Sequence, residues 1–353
     1  MKRLDPTAIC RNQRGASAFG LVVGLLVALI VGLEPIPARA AQTVSVLLNW
    51  SPTVEHIPLF IARELGYFKN EGLDLSIKEG IGGADTAKVV GSGAENIGVS
   101  AGTVLPIARE KGIPVVSIAV YYQKDPNAII SLKKTNVTKP SDMEGKRVGV
   151  KFGATSHFFY NAIVDRYKVD RSKIEEVSIG KDVVQLLVSG RVDVIMGYIS
   201  DEAVHAERLG GPLNVMLVND LGLPLYGNLY VTSERYAREN PKTVEAFLRA
   251  AFKGWDFMLH DPEKAIDLFI KANPILDGRR DILREQLKKS LELLVSQDSL
   301  EAGLGVQTQR GWDDAQETLL KTGLIKSKVD SRTLYTTEFW EKIPKVDVKR
   351  IKP

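Results

Sequence analysis

Val44-Ser45-Val46-Leu47-Leu48-Asn49-Trp50 is a β-rich run closed by Ser51-Pro52, and it opens the alternation that decides the fold. Branched apolar residues suit a pleated, half-buried strand, and the proline that follows cannot donate to a ladder. Pro58 to Leu65 comes next, a helical stretch with Leu59, Ile61, Ala62 and Leu65 on one side. Gly66-Tyr67-Phe68 and Glu71-Gly72 end it, and Leu73 to Ile77 is a second strand. Ala84 to Ser92 is helical, Ile97 to Val99 a buried strand, Thr103 to Lys111 a helix and Val115 to Tyr121 a strand. Strands alternating with short helices at this spacing predict a mostly parallel, helix-covered sheet.

After Asp125-Pro126 the alternation starts again. Strands are expected over 128–132, 147–150, 174–179, 192–196 and 213–218, with helices over 156–167, 182–188 and 202–209 between them. Asn228 to Thr232 reads as the last strand of this second unit. From Glu234 onward the pattern is helical. Asn240-Pro241 is a cap followed by proline at the first helical position. Val244, Phe247, Leu248, Ala251, Trp255, Met258 and Leu259 then recur at intervals of three and four, an amphipathic stripe. Another helix begins at Asp261-Pro262, and two more are expected over 282–295 and 311–322.

Two α/β units and a helical C-terminal part predict a two-lobed architecture. One lobe is expected from 41–124 and 233–353, the other from 125–232, with crossings near Gln123 to Asn127 and near Ser233. Open α/β sheets bind ligands outside the carboxyl ends of their strands, so the site is expected in a cleft shared by both lobes.

The first forty residues read as an export signal. Lys2, Arg3, Arg11 and Arg14 precede the apolar run Phe19 to Leu33, and Ala38-Arg39-Ala40 is a small-x-small cleavage site. As a helix the run rises about 22 Å, short of a hydrocarbon core of ~30 Å. A mature chain from Ala41 is expected. Cys10 is the only cysteine and lies before the apolar run, so a lipid anchor and a disulfide are not expected. The chain carries a formal charge of +4, but the first forty residues hold most of that surplus. No basic stripe with interleaved aromatics marks a nucleic-acid binder. Four histidines scattered along the chain argue against a metal site.

One motif argues for an enzyme. Gly98-Val99-Ser100-Ala101-Gly102 has the G-x-S-x-G pattern of a nucleophile elbow, between a strand and a helix. The alternative is a loop of small residues whose backbone N–H groups face a ligand. Gly80-Ile81-Gly82-Gly83 lacks the spacing of a dinucleotide loop, and no phosphate-cradling G-x-x-x-x-G-K motif is present.

Several segments together carry a family resemblance. Leu48-Asn49-Trp50-Ser51-Pro52, His56-Ile57-Pro58-Leu59-Phe60-Ile61-Ala62 and Gly66-Tyr67-Phe68-Lys69-Asn70-Glu71-Gly72-Leu73-Asp74 resemble the THI5/NMT1-like proteins, which have the SsuA/THI5-like periplasmic binding fold of type II. Lys146-Arg147-Val148-Gly149-Val150, Ser189-Gly190-Arg191-Val192-Asp193 and Tyr230-Val231-Thr232-Ser233-Glu234 extend the likeness across nearly the whole mature chain. The resemblance implies a monomeric, periplasmic solute-binding subunit of an ABC importer, docking on a membrane permease and holding no cofactor. It implies a thiamine-precursor pyrimidine as ligand, with alkanesulfonate or taurine, nitrate and riboflavin as alternatives. Eukaryotic members are enzymes that build the pyrimidine with a lysine and a histidine. The matching positions here are Ser100 and Val104, so the resemblance implies no such chemistry.

The site residues follow from both readings. Trp50, at the end of the first strand, is either a stacking platform for a flat ligand or a core tryptophan. Asn49 offers donor and acceptor together, or caps the turn. His56 matches the family's ligand-side histidine, or caps the helix at Pro58. Gly197-Tyr198 followed by Glu202 resembles the run of pyrimidine binders, where a carboxylate pairs with an amino group and a ring nitrogen. Ile199-Ser200 departs from that run, and Glu202 also suits a helix start as a dipole partner. Ser100 and Thr103 are expected in the cleft wall, Thr155 and Ser156 at a helix start that suits an anionic group, and Tyr226 at the rim.

Overall fold

The structure is a computed structural model that describes residues 41–152, 155–180 and 182–351. The export signal expected in the first forty residues, with Cys10 and the cleavage site, lies outside the described residues.

Residues 42–120 build the alternation read in the sequence. β1 (Gln42–Leu47) leads to α1 (Ile57–Glu64), the short α2 (Tyr67–Asn70) and β2 (Leu73–Lys78). α3 (Gly83–Ser92), β3 (Ile97–Ala101), α4 (Val104–Glu110) and β4 (Val115–Val120) follow. The second unit runs through β5 (Asn127–Leu132), β6 (Arg147–Val150), α5 (Thr155–Arg166), β7 (Glu175–Ser178) and α6 (Val183–Val188). It goes on through β8 (Val194–Tyr198), α7 (Glu202–Gly210) and β9 (Leu213–Leu217). After β10 (Asn228–Ser233) come α8 (Glu234–Glu239), α9 (Pro241–His260), α10 (Pro262–Ala272), α11 (Arg280–Leu291), α12 (Gln297–Ala302) and α13 (Gln309–Lys321).

The strands form two five-stranded sheets, ordered β2-β1-β3-β10-β4 and β7-β6-β8-β5-β9. Each sheet is parallel apart from the strand that enters from the other lobe: β10 runs antiparallel between β3 and β4, and β5 antiparallel between β8 and β9. This corrects the reading of Asn228 to Thr232 as the last strand of the second unit. The strand closes the first sheet, where Tyr230 faces Val99 and Ala119. Its residues are all buried, with helices over both faces. The second crossing therefore lies within 218–227 rather than at Ser233.

The two crossings run side by side. The Asp125 N–H donates to the Leu225 carbonyl at 3.1 Å, the Gly227 N–H to the Tyr122 carbonyl at 2.9 Å, and the Val218 N–H to the Asn127 carbonyl at 3.0 Å. Gly227 permits this approach, since a Cβ there would stand 2.4 Å from the Lys124 carbonyl oxygen. The amphipathic stripe of α9 is buried as its periodicity requires, with Phe247, Leu248, Ala251 and Trp255 inside. Trp255 donates its indole N–H to the Tyr230 hydroxyl at 3.1 Å, tying the helical part to the first sheet. Among the described residues no helix is long and apolar enough to cross a membrane.

Candidate functional site

The strand ends of both sheets open onto a cleft of about 610 Å³. Asn49, Trp50 and Thr103 line it from the first lobe, Ser156, Tyr198 and Glu202 from the second. Asp125, Asn127 and Asn228 line it at the crossings.

Asn49 is held from behind. His56 is fully buried, and its Nδ1 accepts the Thr53 backbone N–H at 3.1 Å. The imidazole proton therefore sits on Nε2, which donates to Asn49 Oδ1 at 2.7 Å. Burial lowers the His56 pKa to about 3, so the ring is neutral. Asn49 Nδ2 in turn donates to Glu55 Oε1 at 3.3 Å, and Asn228 Nδ2 donates to the same oxygen at 3.0 Å. Burial raises the Glu55 carboxyl, and the hydrogen bonds from Asn49 and Asn228 oppose it. The chain His56–Asn49–Glu55–Asn228 thus sets which way two cleft amides point.

Trp50 lies in the loop three residues beyond β1, with 56 % of its surface exposed and no ring contact among the described residues. It is therefore no core tryptophan. Tyr198, at the end of β8, is 38 % exposed. Glu202 starts α7 and its Oε2 accepts the Tyr198 backbone N–H at 2.8 Å. Burial raises its carboxyl above the usual range, and that bond works the other way. Gly197 makes room for it, since a Cβ there would stand 2.8 Å from Glu202 Cβ.

Three of the sequence-predicted residues are not in the cleft. Ser100 is wholly buried, still within the β3 ladder opposite Leu229, and its hydroxyl donates to the Gly83 carbonyl at 2.9 Å. It is not exposed and does not line the cleft, because β3 runs on to Ala101 and turns Ser100 toward α3. Tyr226 is not at the rim. Its hydroxyl accepts the Thr308 backbone N–H at 3.1 Å, and its ring packs edge-on against Trp312 at 5.2 Å. His56 acts behind Asn49 rather than on the cleft surface. The Thr155 side chain lies outside the described residues.

Asp125, Asn127, Asn228 and Lys151 were not singled out in the sequence. Asp125 stood beside a proline and read only as a chain break. Lys151, which lines the cleft, follows β6 directly and had a signal in that position alone. Among the described residues no cluster of His, Cys, Asp and Glu has the make-up of a metal site.

Two sheets with reciprocal strand exchange around one cleft are the fold of the periplasmic binding proteins. The periplasmic aliphatic sulphonate binding protein SsuA from Escherichia coli superposes with a TM-score of 0.62 at 15 % identity, over 83 % of this chain and 91 % of that one. Residues 53–265 match the family model described as NMT1/THI5 like, and the chain belongs to that family. It is 28 % identical over 279 residues to the formylaminopyrimidine-binding protein of Halalkalibacterium halodurans, covering 78 % of this chain and 84 % of that protein. It is 26 % identical over 311 residues to the 4-amino-5-hydroxymethyl-2-methylpyrimidine phosphate synthase of Legionella pneumophila, covering 87 % and 95 %.

Proposed function

We propose that this protein is the secreted, periplasmic solute-binding subunit of an ABC importer. It works as a monomer, captures a small aminated heteroaromatic of the thiamine-precursor pyrimidine type by closure of its lobes, and delivers it to a membrane permease. The observation that carries the reading is the pairing of an unstacked, exposed Trp50 with a half-partnered Glu202 in one cleft. A flat ring stacks on the indole, worth about 0.5–1.5 kcal/mol beyond its buried area. The free Glu202 oxygen accepts an exocyclic amino group or a protonated ring nitrogen, a charge-assisted bond. The relationship to a formylaminopyrimidine-binding protein supports the same ligand class.

Charge argues against the anionic alternatives. Asp125 and Glu202 line the cleft with Glu55 just behind, against the single ammonium of Lys151 among the described lining residues. Nitrate and sulfonates meet net repulsion there. The synthase reading is disfavoured because Ser100 and Val104 stand where the resemblance places the lysine and histidine, and Ser100 is buried. Lys151 belongs to the second lobe, after β6.

A thermal-shift panel on residues 41–353 tests this, with formylaminopyrimidine, hydroxymethylpyrimidine, thiamine, riboflavin, taurine and nitrate. Ligand at a hundred times its Kd stabilises by about 2.7 kcal/mol, a shift of several degrees. A shift with an aminopyrimidine, lost in Trp50→Ala and in Glu202→Ala, is expected. A shift with sulfonates alone overturns the ligand class, and pyridoxal absorbance or pyrimidine formation overturns the binding role.

A further inference from the structure

The cleft holds a second carboxylate whose task the aminopyrimidine reading leaves open. Asp125 lies on the first crossing and is 2 % exposed, yet it lines the cleft. One of its oxygens is occupied: Oδ1 accepts the Asn127 backbone N–H at 2.9 Å and Asn127 Nδ2 at 2.7 Å. The other, Oδ2, takes part in no hydrogen bond among the described residues, and it is not one of the unpartnered atoms sealed inside the protein. Its open side is therefore the cleft. Lys124, the adjacent cation, is directed toward Asp220 at 3.9 Å and does not neutralise it.

The backbone under Asp125 is anchored to the second crossing. Its N–H donates both to Asn219 Oδ1 at 2.9 Å and to the Leu225 carbonyl at 3.1 Å, while Asn219 Nδ2 bonds the Leu225 carbonyl at 2.9 Å. These bonds join the two chain segments between the lobes, so the carboxylate sits on a braced connection between them. A buried charge with one open oxygen, no cationic partner among the described residues and an anchored backbone is costly to keep in a solvent-filled cleft. It gains where a ligand brings a matching positive donor to it.

We infer that Asp125 is a specificity-determining residue, pairing through Oδ2 with a second, positively charged N–H donor on the ligand, distinct from the group held by Glu202. This rests on the binding-protein reading and ranks ligands of that class, those that carry a protonated amine binding tightest. Anionic ligands of similar size are excluded by the same carboxylate.

The test is calorimetry at pH 7.0 with two matched pairs. The first is the 4-amino-2-methylpyrimidine ring carrying 5-aminomethyl or 5-hydroxymethyl; the second is benzylamine and benzyl alcohol. In the unmodified protein each amine is expected to bind at least tenfold tighter than its alcohol. In Asp125→Asn the amine loses at least tenfold more affinity than the alcohol. Equal affinities within a pair overturn the inference, as does an amine preference that survives Asp125→Asn. The comparison in the unmodified protein needs no variant to fold. Preference within the benzyl pair without binding of the pyrimidines sustains Asp125 and overturns the pyrimidine reading. Binding by none of the four overturns both.

Discussion

His56 Nε2 lies 2.7 Å from Asn49 Oδ1, a bond between a fully buried imidazole and an amide on the cleft wall. Because the Thr53 N–H occupies Nδ1, the ring has one tautomer, and Asn49 has one amide orientation. His56→Leu removes the donor and leaves the Thr53 N–H without its acceptor. Each buried polar group left unpaired costs about 1–3 kcal/mol, so a loss of stability of that size is expected together with a fall of about tenfold in ligand affinity. With a pKa of about 3, His56 stays neutral between pH 5 and 8 and contributes no pH dependence there. A binding curve with a step near pH 6.5 that vanishes in His56→Leu would count against this assignment.

Trp50 separates binding from folding. More than half of its surface faces solvent, and no aromatic ring packs on it among the described residues. Trp50→Ala is expected to leave the melting temperature of the ligand-free protein within the range of ordinary surface substitutions, about 0.5 kcal/mol. Affinity for an aromatic ligand falls by roughly 1–3 kcal/mol, the loss of stacking plus buried area. Calorimetry and thermal melts on one protein preparation check both parts. A large drop in stability without ligand overturns the assignment of Trp50 to the cleft.

Gly197 sets the position of Glu202. A methyl group at Gly197 would come within 2.8 Å of Glu202 Cβ, 3.1 Å of its Cγ and 3.2 Å of Ile130 Cδ1. Gly197→Ala is therefore expected to push the side chain off the Tyr198 N–H that now orients it at 2.8 Å. The outcome is a tenfold or greater loss of aminopyrimidine affinity, comparable with Glu202→Gln, in a protein that still melts cooperatively. Equal affinity in Gly197→Ala and the parent protein would show that Glu202 does not carry the ligand.

Periodicity made much of the fold legible before any coordinates. The stripe Val244, Phe247, Leu248, Ala251, Trp255 has one buried solution, and α9 adopts it. Asn49 and Trp50 were findable because they follow the first strand, and strand ends define the cleft. Tyr198 and Glu202 were findable through the run Gly197-Tyr198 to Glu202, which resembles that of the pyrimidine binders. β10 was misassigned because Leu229, Tyr230 and Val231 suit any buried strand. Its place between β3 and β4 is a long-range pairing with no local signature. Ser100 misled for a related reason: a G-x-S-x-G run looks like a turn, but one more ladder residue turns the hydroxyl inward. Asp125 was hidden by Pro126, since a proline after a polar residue reads as an ordinary break.

Asp125 also ties function to stability. Burial raises its carboxyl from 3.8 to about 6, against the hydrogen bonds from Asn127. The unfolded chain releases that proton near its ordinary value, so between about pH 4 and 6 the native state binds more protons than the unfolded one. This group's contribution to stability therefore rises as pH falls through 6 and is lost as pH rises through the same window. At pH 7.5 the buried charge costs up to about 3 kcal/mol, from a rise of roughly two pKa units at 1.36 kcal/mol each. Asp125→Asn keeps an oxygen for the Asn127 N–H and removes the charge. The ligand-free variant is expected to melt above the parent at pH 7.5, by several degrees, with the gap closing below pH 4. Melts of both proteins across this range, without ligand, check it. A variant less stable than the parent at pH 7.5 would mean that the carboxylate has a partner within the fold, and a charged donor from the ligand would then have no vacancy to fill.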